Sequence, residues 1–204
     1  RPKPILVMEL VEGPNLERMI DTRALSWELA MESVENVTAG LMAMHQAGVG
    51  HLDLKPANVV LRKGTHAVLV DFGLAGRQLR PGCGSAPYAA PEVWNYDARQ
   101  PSSPMAADMY SLGCLLFETL TADVLFDGDS ELNMIAQHLA HDGFPPKLRA
   151  LASNAKHAAL AELLFAVLRR NPADRLDIAG FSAELRRVVA RYKAREWPLP
   201  LPRA

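Results

Sequence analysis

The stretch from His51 to Gly73 constrains the fold of this chain more than any other. It begins HLDLKPAN and continues into two β-branched runs, NVVL and AVLVD, which residues 62–65 (RKGT) separate. Short β-branched runs joined by a turn that contains glycine predict a β-hairpin. Such a hairpin would bring the polar loop before its first strand close to the Asp-Phe-Gly triplet after its second.

The polar residues of this stretch suit phosphoryl transfer. That reaction needs a carboxylate to position the attacking hydroxyl, oxygen ligands for a metal, and a cation near the phosphate. Asp53 supplies a loop carboxylate, and Lys55 would point the same way two residues later in an extended segment. Asn58 offers an amide oxygen and Asp71 an anionic oxygen to a metal. Gly73 gives the backbone the freedom to aim Asp71.

The rest of the pattern is mostly helical. Residues 5–13 (ILVMELVEG) predict a strand that ends at the turn Gly13-Pro14-Asn15, and residues 74–104 predict a long surface loop. Apolar residues at helical spacing predict a helix between Ser26 and Gly48, a buried helix over 108–120, and helices after Ser130, over 155–169 and over 177–192.

The last residues, WPLPLPRA, carry alternate prolines, which exclude a helix and indicate an extended, mobile tail. We therefore predict an α+β fold with two regions. A mostly helical domain with a strand and a hairpin at its front edge covers 1–192, and a proline-rich tail covers 193–204.

Composition narrows the classes of function. A net charge of −1 over 204 residues gives no basic surface for nucleic acid. The longest apolar runs are far shorter than a membrane span, so we expect no membrane segment. Two cysteines, Cys83 and Cys114, fit a reducing compartment and a cytoplasmic location. The chain starts at Arg1 beside an apolar strand, which suggests a piece of a longer protein.

These motifs resemble those of the eukaryotic-type protein kinases. His51-Leu52-Asp53-Leu54 with Asn58 is similar to their catalytic loop, and Asp71-Phe72-Gly73 to their metal-binding triplet. Three more segments follow in the family's order: GSAPYAAPE over 84–92, DMYSLG over 108–113, and Arg175 after NPAD. The resemblance implies a protein-kinase-like fold. The hinge and C-terminal lobe would lie over about 5–190, and the N-terminal lobe would be absent from this chain.

The resemblance also implies site residues. The catalytic residues would be Asp53 as base, Lys55 on the phosphate, and Asn58 and Asp71 as ligands of Mg²⁺. Ser85 would lie in the substrate-docking segment. Residues with a structural role would be His51, Phe72, Gly73, Glu92, Asp108 and Arg175. The adenine of ATP would be bound by Met8 as gatekeeper, by the backbones of Glu9 and Val11, and by Val60, with Asn15 or Glu17 near the ribose.

The expected substrate is a serine or threonine hydroxyl of a protein. Lys55 in DLKP and Ser85 in the docking segment resemble the residues of serine/threonine kinases. Tyrosine kinases typically place alanine and arginine between the Asp-Leu pair and the asparagine of the catalytic loop, and this chain does not. ATP and Mg²⁺ are the implied cofactors.

Two departures from the family pattern stand out. Leu52 replaces the arginine that normally pairs with an activation-loop phosphate, and residues 74–84 (LAGRQLRPGCG) contain no serine, threonine or tyrosine. We expect a kinase that needs no activation-loop phosphorylation. The chain also has no glycine-rich loop and no strand lysine, so we expect the missing lobe upstream in a longer protein and little activity from these residues alone.

Other interpretations remain open. A pseudokinase or a regulatory lobe that binds protein partners is the alternative to an active enzyme. Lys55 is either a phosphate contact or a solvated lysine, and Ser85 either a docking hydroxyl or a phosphorylation site. Cys83 is either a redox group or an incidental loop residue. His138 and His141, three apart, are expected on a solvated helix face in preference to a metal site.

Overall fold

Helices carry most of the chain in the computed structural model, which describes residues 5, 7–97, 99, 102–192 and 196–202. The helices are α1 Leu16–Asp21, α2 Trp27–Gln46, α3 Pro91–Trp94, α4 Pro104–Thr121, α5 Glu131–Ala140, α6 Pro146–Ala152, α7 Ala158–Val167 and α8 Ile178–Arg191. Two strands, β1 Val59–Arg62 and β2 His66–Leu69, form the sheet, and 3₁₀ turns lie at Pro56–Asn58 and Pro172–Asp174.

Helix α2 confirms the prediction made from its cap and its spacing. The Ser26 side chain accepts a hydrogen bond from the Leu29 N–H at 3.1 Å, which satisfies one of the free donors of the first turn. Val34, Val37 and Leu41 recur on one face and are fully buried. That face packs against β2 and α8.

The hairpin is also confirmed. β1 and β2 are antiparallel, with Val59 opposite Leu69 and Arg62 opposite His66. The turn uses left-handed backbone at Lys63 and Gly64. Alternate residues of both strands are buried, and β2 packs against α2 while β1 contacts α1. The hairpin therefore buries one face and leaves the other partly exposed.

Helix α4 is the central helix of the core, as its apolar sequence predicted. It starts at Pro104, four residues before the expected start, because proline suits the first helical position. Every residue from Ala107 to Thr121 is buried. The Thr119 and Thr121 hydroxyls donate to carbonyls one turn earlier in the helix, those of Leu115 at 2.7 Å and Phe117 at 2.9 Å. The described residues include no helix long and apolar enough to cross a bilayer.

The predicted strand over 5–13 is not formed among its described residues, while residue 6 lies outside them. A strand needs a neighbour along its length, and only its last residues have one. The Glu12 and Pro14 carbonyls accept the N–H groups of Lys63 and Leu61 at 3.3 and 2.8 Å. Ile5, Val7 and Leu10 stay more than 80% exposed.

The sequence pattern missed three short helices, α1, α3 and α6. They have six, four and seven residues, which is too short for a periodic pattern to stand out. The helix expected over 155–169 is present as α7 but is shorter than predicted, from Ala158 to Val167.

The described part of the C-terminal tail packs onto the domain, contrary to the expected mobility. The Trp197 indole N–H donates to the Thr119 carbonyl at 2.7 Å, and the Leu199 N–H donates to the Leu120 carbonyl at 2.9 Å. Both carbonyls belong to the last turn of α4, where helix carbonyls lack internal partners. Leu199 is 1% exposed. Residues 193–195 and 203–204 of the predicted tail lie outside the described residues.

The expectation that His138 and His141 are solvated is wrong. His138 is fully buried and His141 is 9% exposed, whereas Leu132 on the same helix is 78% exposed. Helix α5 turns its histidines to the core because both rings find hydrogen-bond partners there, including the hydroxyl of Tyr110.

Glu92 and Arg175 form a buried, bidentate ion pair. Their N–O distances are 2.6 and 2.8 Å, and the side chains are 8% and 1% exposed. The arginine also donates to three carbonyls at 2.7, 2.8 and 3.1 Å, those of Arg169, Ala106 and Arg170. The pair therefore ties α3 to the start of α4 and to the segment after α7.

Arg175→Met should destabilise the domain by about 3–5 kcal/mol, because it leaves the Glu92 carboxylate buried without its partner. Denaturant unfolding measures the change. Arg187→Met is the matched control, since it breaks a solvent-exposed pair with Glu184 and should leave the midpoint unchanged. Equal midpoints for the two variants would contradict the assignment.

Candidate active site

The backbone of the loop over 51–58 is fixed by one buried carboxylate. Asp108 of α4 is fully buried and accepts the N–H groups of His51 and Leu52, each at 2.7 Å. The His45 ring nitrogen lies 2.9 Å from the same carboxylate. Leu52 has a φ of 66°, a left-handed conformation that costs a non-glycine residue about 1–2 kcal/mol. The two charge-assisted hydrogen bonds offset this cost.

The hairpin brings the Asp-Phe-Gly triplet beside this loop. The Val70 N–H donates to the Asn58 carbonyl at 3.0 Å, and the His51 Nε2 donates to the Val70 carbonyl at 3.1 Å. The His51 ring also packs on Phe72, with ring centroids 5.5 Å apart. The predicted neighbourhood of loop and triplet is therefore present, and His51 serves as a structural link between them.

Asp53 lies at the centre of a ring of polar contacts. Its Oδ1 accepts the Ser85 hydroxyl at 2.8 Å, and its Oδ2 lies 3.0 Å from the Lys55 ammonium. Lys55 also donates to the Ser85 hydroxyl at 2.8 Å, and Asn58 donates to Asp53 Oδ2 at 3.0 Å. Four residues that the sequence singled out thus come together within hydrogen-bond distance.

The contacts keep Asp53 ionised. Burial alone would raise the pKa of its carboxyl, but hydrogen bonds from Lys55, Ser85 and Asn58 and the charge of Lys55 outweigh burial and hold the pKa below its ordinary value. The site therefore presents a fixed anion that is partly open to solvent, its side chain being 14% exposed.

Asn58 and Asp71 suit the role of ligands for Mg²⁺. The Asn58 amide nitrogen donates both to the carbonyl and to the carboxylate of Asp53, which turns its oxygen away from them. Asp71 is exposed, has a left-handed φ of 62°, and receives the Gly73 N–H on Oδ1 at 3.2 Å. Neutral and anionic oxygens are what magnesium prefers, so these residues fit the ion. Their role as ligands stays a prediction.

A larger residue in place of Gly73 would crowd the Asp71 side chain. A Cβ there would lie 3.2 Å from Asp71 Oδ1, in the space that the carboxylate uses to accept the glycine N–H. Groups of three or more histidine, cysteine or acidic side chains suited to a metal do not occur among the described residues. A magnesium site here would thus draw its other ligands from water and from phosphate.

The residues expected around adenine are brought together only in part. Asn15 bridges to Val60, and Val11 is half-buried. Met8 stays 51% exposed, and Glu9 forms an ion pair with Arg62 at 2.8 Å.

The Asn15 side-chain oxygen caps helix α1. It accepts the Arg18 N–H at 2.9 Å. The adenine and ribose roles of these residues stay predictions.

The segment over 74–84 is anchored without any phosphorylated residue. Gly50 and Gly76 exchange two backbone hydrogen bonds at 2.9 and 3.0 Å. Leu79 is 8% exposed within the core, and Arg80 donates to the Gly73 carbonyl at 3.3 Å. Leu52 packs against the same core where the family's arginine would face a phosphate.

The sequence pattern did not predict the contacts between the docking segment, residues 84–92, and helix α4. The Ser111 hydroxyl donates to the Tyr88 carbonyl at 3.0 Å, and the Tyr88 hydroxyl donates to Glu118 at 2.8 Å. Burial raises the pKa of Glu118 to about 7. A polar residue within an apolar helix was the available signal, since such a residue needs a partner when buried.

Comparison with known proteins agrees with this geometry. A model of the protein kinase domain family matches residues 2–184 of the chain. The serine/threonine-protein kinase PknB of Mycobacterium tuberculosis is 33% identical over 211 residues, covering 97% of this chain and 32% of that protein. PknL of the same organism is 33% identical over 209 residues, covering 98% of this chain and 51% of that protein. PknB of Mycobacterium leprae is 32% identical over 206 residues.

The chain spans about a third of the length of PknB and half that of PknL. The family model nevertheless matches most of the chain, and the relatives it resembles are serine/threonine kinases. This chain therefore belongs to the protein kinase domain family.

Proposed function

We propose that the chain carries the catalytic C-terminal lobe of a kinase that transfers the γ-phosphate of ATP to a serine or threonine hydroxyl of a protein. The observation that carries the proposal is the ring of contacts around Asp53, in which Lys55, Ser85 and Asn58 hold one ionised carboxylate at an open surface.

Asp53 would accept a hydrogen bond from the attacking hydroxyl and orient its oxygen toward the γ-phosphorus. An O–P bond then forms as the bond to the bridging oxygen of the diphosphate breaks, and the hydroxyl proton leaves through the carboxylate. The transition state of this reaction is loose, so it needs orientation more than a strong base. A carboxyl with a depressed pKa meets that requirement because it stays ionised.

Lys55 and a magnesium ion held by Asn58 and Asp71 would supply the positive charge that the phosphates need. Lys55 is anchored by Asp53 and Ser85, so its ammonium group is held beside the attacking oxygen. Bound Mg²⁺ would neutralise charge on the phosphate oxygens, with Asn58 and Asp71 as its protein ligands.

Serine/threonine specificity is supported by the bond from Lys55 to Ser85. It joins the catalytic loop to the docking segment at 2.8 Å and narrows the space beside Asp53. A serine or threonine side chain is short enough to reach Asp53 through the space that remains, whereas a tyrosine ring is too large for it.

The 204 residues contain no glycine-rich loop and no strand lysine of the kinase type. In the family those two elements cover the nucleotide phosphates from the other side. We therefore expect little phosphate transfer from these residues alone, so activity is to be measured on the protein at its natural length.

Asp53→Asn should lower kcat for peptide phosphorylation by about 10²–10⁴-fold while leaving the KM for ATP within about twofold, because the carboxylate acts on the acceptor hydroxyl. Transfer of labelled phosphate measures it, with exposed Asp129→Asn as the matched control. Unchanged kcat in Asp53→Asn would reject the catalytic assignment, whereas absence of phosphate transfer by the wild-type protein would favour a scaffold role.

Phosphatase treatment should leave the activity unchanged, because residues 74–84 offer no hydroxyl to phosphorylate and Leu52 offers no cation to a phosphate. Mass spectrometry should establish that the treated protein carries no phosphate. A drop in activity that returns when Ser85 or Tyr88 of the adjoining docking segment is phosphorylated again would contradict this expectation.

A further inference from the structure

A continuous chain of hydrogen bonds crosses the buried space between α4 and α5. The Tyr110 hydroxyl lies 2.8 Å from His138 Nδ1 and 2.7 Å from His141 Nε2. At one end His138 Nε2 lies 2.8 Å from the Ala86 carbonyl oxygen, and at the other the Gly143 N–H lies 2.8 Å from His141 Nδ1.

The two backbone ends determine every proton in this chain. A carbonyl only accepts, so His138 Nε2 carries a proton and donates it to Ala86. An N–H only donates, so His141 Nδ1 is bare. With both rings neutral, His141 Nε2–H donates to Tyr110, and the Tyr110 hydroxyl donates to His138 Nδ1. Each of these buried polar atoms then has a hydrogen-bond partner, and all the donors point the same way along the series, from the Gly143 N–H to the Ala86 carbonyl.

The hydrogen-bond chain ends at Ala86, which is next to the candidate active site in the sequence. Ala86 follows Ser85, whose hydroxyl donates to Asp53 at 2.8 Å. The Ser85 carbonyl accepts the N–H groups of Tyr88 and Ala89, both at 2.9 Å, and so closes a turn around Ala86. Fixing the Ala86 carbonyl thereby fixes the turn that presents the Ser85 hydroxyl.

We propose that His138, Tyr110 and His141 are positioning residues for phosphate transfer, which hold the turn over 85–89 so that Ser85 stays on Asp53. The proposal rests on the function proposed above and adds a part of the domain that the catalytic motifs do not contain. None of the three residues touches the reacting atoms.

A role in filling the core would not require these residue types. Apolar side chains would fill the same volume without burying polar atoms, and leucine at position 138 would leave the Ala86 carbonyl unpaired. Phe126 already supplies apolar contact, with its ring 4.0 Å from that of His138. The presence of these polar residues in the core is therefore explained by the hydrogen bond that holds the Ala86 carbonyl.

Burial also keeps the two histidines of this hydrogen-bond chain neutral. Desolvation lowers the pKa of both histidines to about 4; Arg175 and Arg170 add to the shift at His141, and Asp142 opposes it. Because both pKa values lie below the ordinary 6.5, the unfolded chain binds more protons under pH 6.5. The stability that the histidines contribute is complete above pH 6.5 and is lost as the pH falls toward 4.

The test compares Tyr110→Phe, His138→Leu and His138→Gln in the protein at its natural length, with exposed Tyr96→Phe as the matched control. Tyr110→Phe removes one hydroxyl, and His138→Leu removes the donor to Ala86. His138→Gln keeps an N–H donor at that position. We expect the first two to lower kcat per folded molecule by about tenfold, with the KM for ATP unchanged, and His138→Gln to recover most of the activity.

Amide hydrogen exchange supplies a readout independent of activity. In Tyr110→Phe and His138→Leu, exchange at the Tyr88 and Ala89 amides should speed up by about tenfold, while Val37 in the core of α2 keeps its wild-type rate. Unchanged exchange at these two amides would overturn the proposal.

Activity and exchange together separate the possible failures. Faster exchange with unchanged kcat would overturn the positioning role. If the wild-type protein transferred no phosphate, the proposed function would fail and so would a role in transfer, and exchange would then report only whether the chain holds the turn.

Discussion

The geometry of the site depends on the buried carboxylate of Asp108. It is the partner of two consecutive loop N–H groups, and without it the left-handed backbone at Leu52 would have no compensation. The same helix carries Ser111, one turn later, and Glu118, two turns after that, both bonded to Tyr88 of the docking segment. One rigid helix thus sets the distance between the loop that carries Asp53 and the turn that carries Ser85.

A central helix can do this because its neighbours are fixed to it on several sides. The pair of Glu92 and Arg175 ties α3 to the start of α4, and Trp197 and Leu199 bond to the carbonyls of its last turn. Buried charges contribute little net stability when paired, but they allow very few alternative arrangements. What they provide in this domain is a single placement of the segments around the site.

The sequence predicted those features that local rules determine. The Ser26 cap, the face of α2 and the hairpin follow from spacing and turn chemistry within a few residues. The neighbourhood of loop and triplet followed from the hairpin. The face of α5 did not, because Leu132 and Leu139 are seven residues apart and His138 and His141 three apart. Both spacings suit a helix face, so periodicity alone cannot say which pair is buried. Tyr110, which satisfies both histidines, is 28 residues away from the nearer one.

The anchoring of residues 74–84 shows how apolar contact can replace a charge-assisted bond. A phosphate that pairs with arginine orders a loop only while the modification is present. Burying one leucine, as at Leu79, is worth about 1.5–3 kcal/mol and is permanent. The backbone pair of Gly50 and Gly76 adds two hydrogen bonds that need no side chain at all. Ordering a loop residue costs about 1–2 kcal/mol, so these contacts offset the ordering of only a few residues, those beside the Asp-Phe-Gly triplet. Those are the residues whose position matters to Asp71.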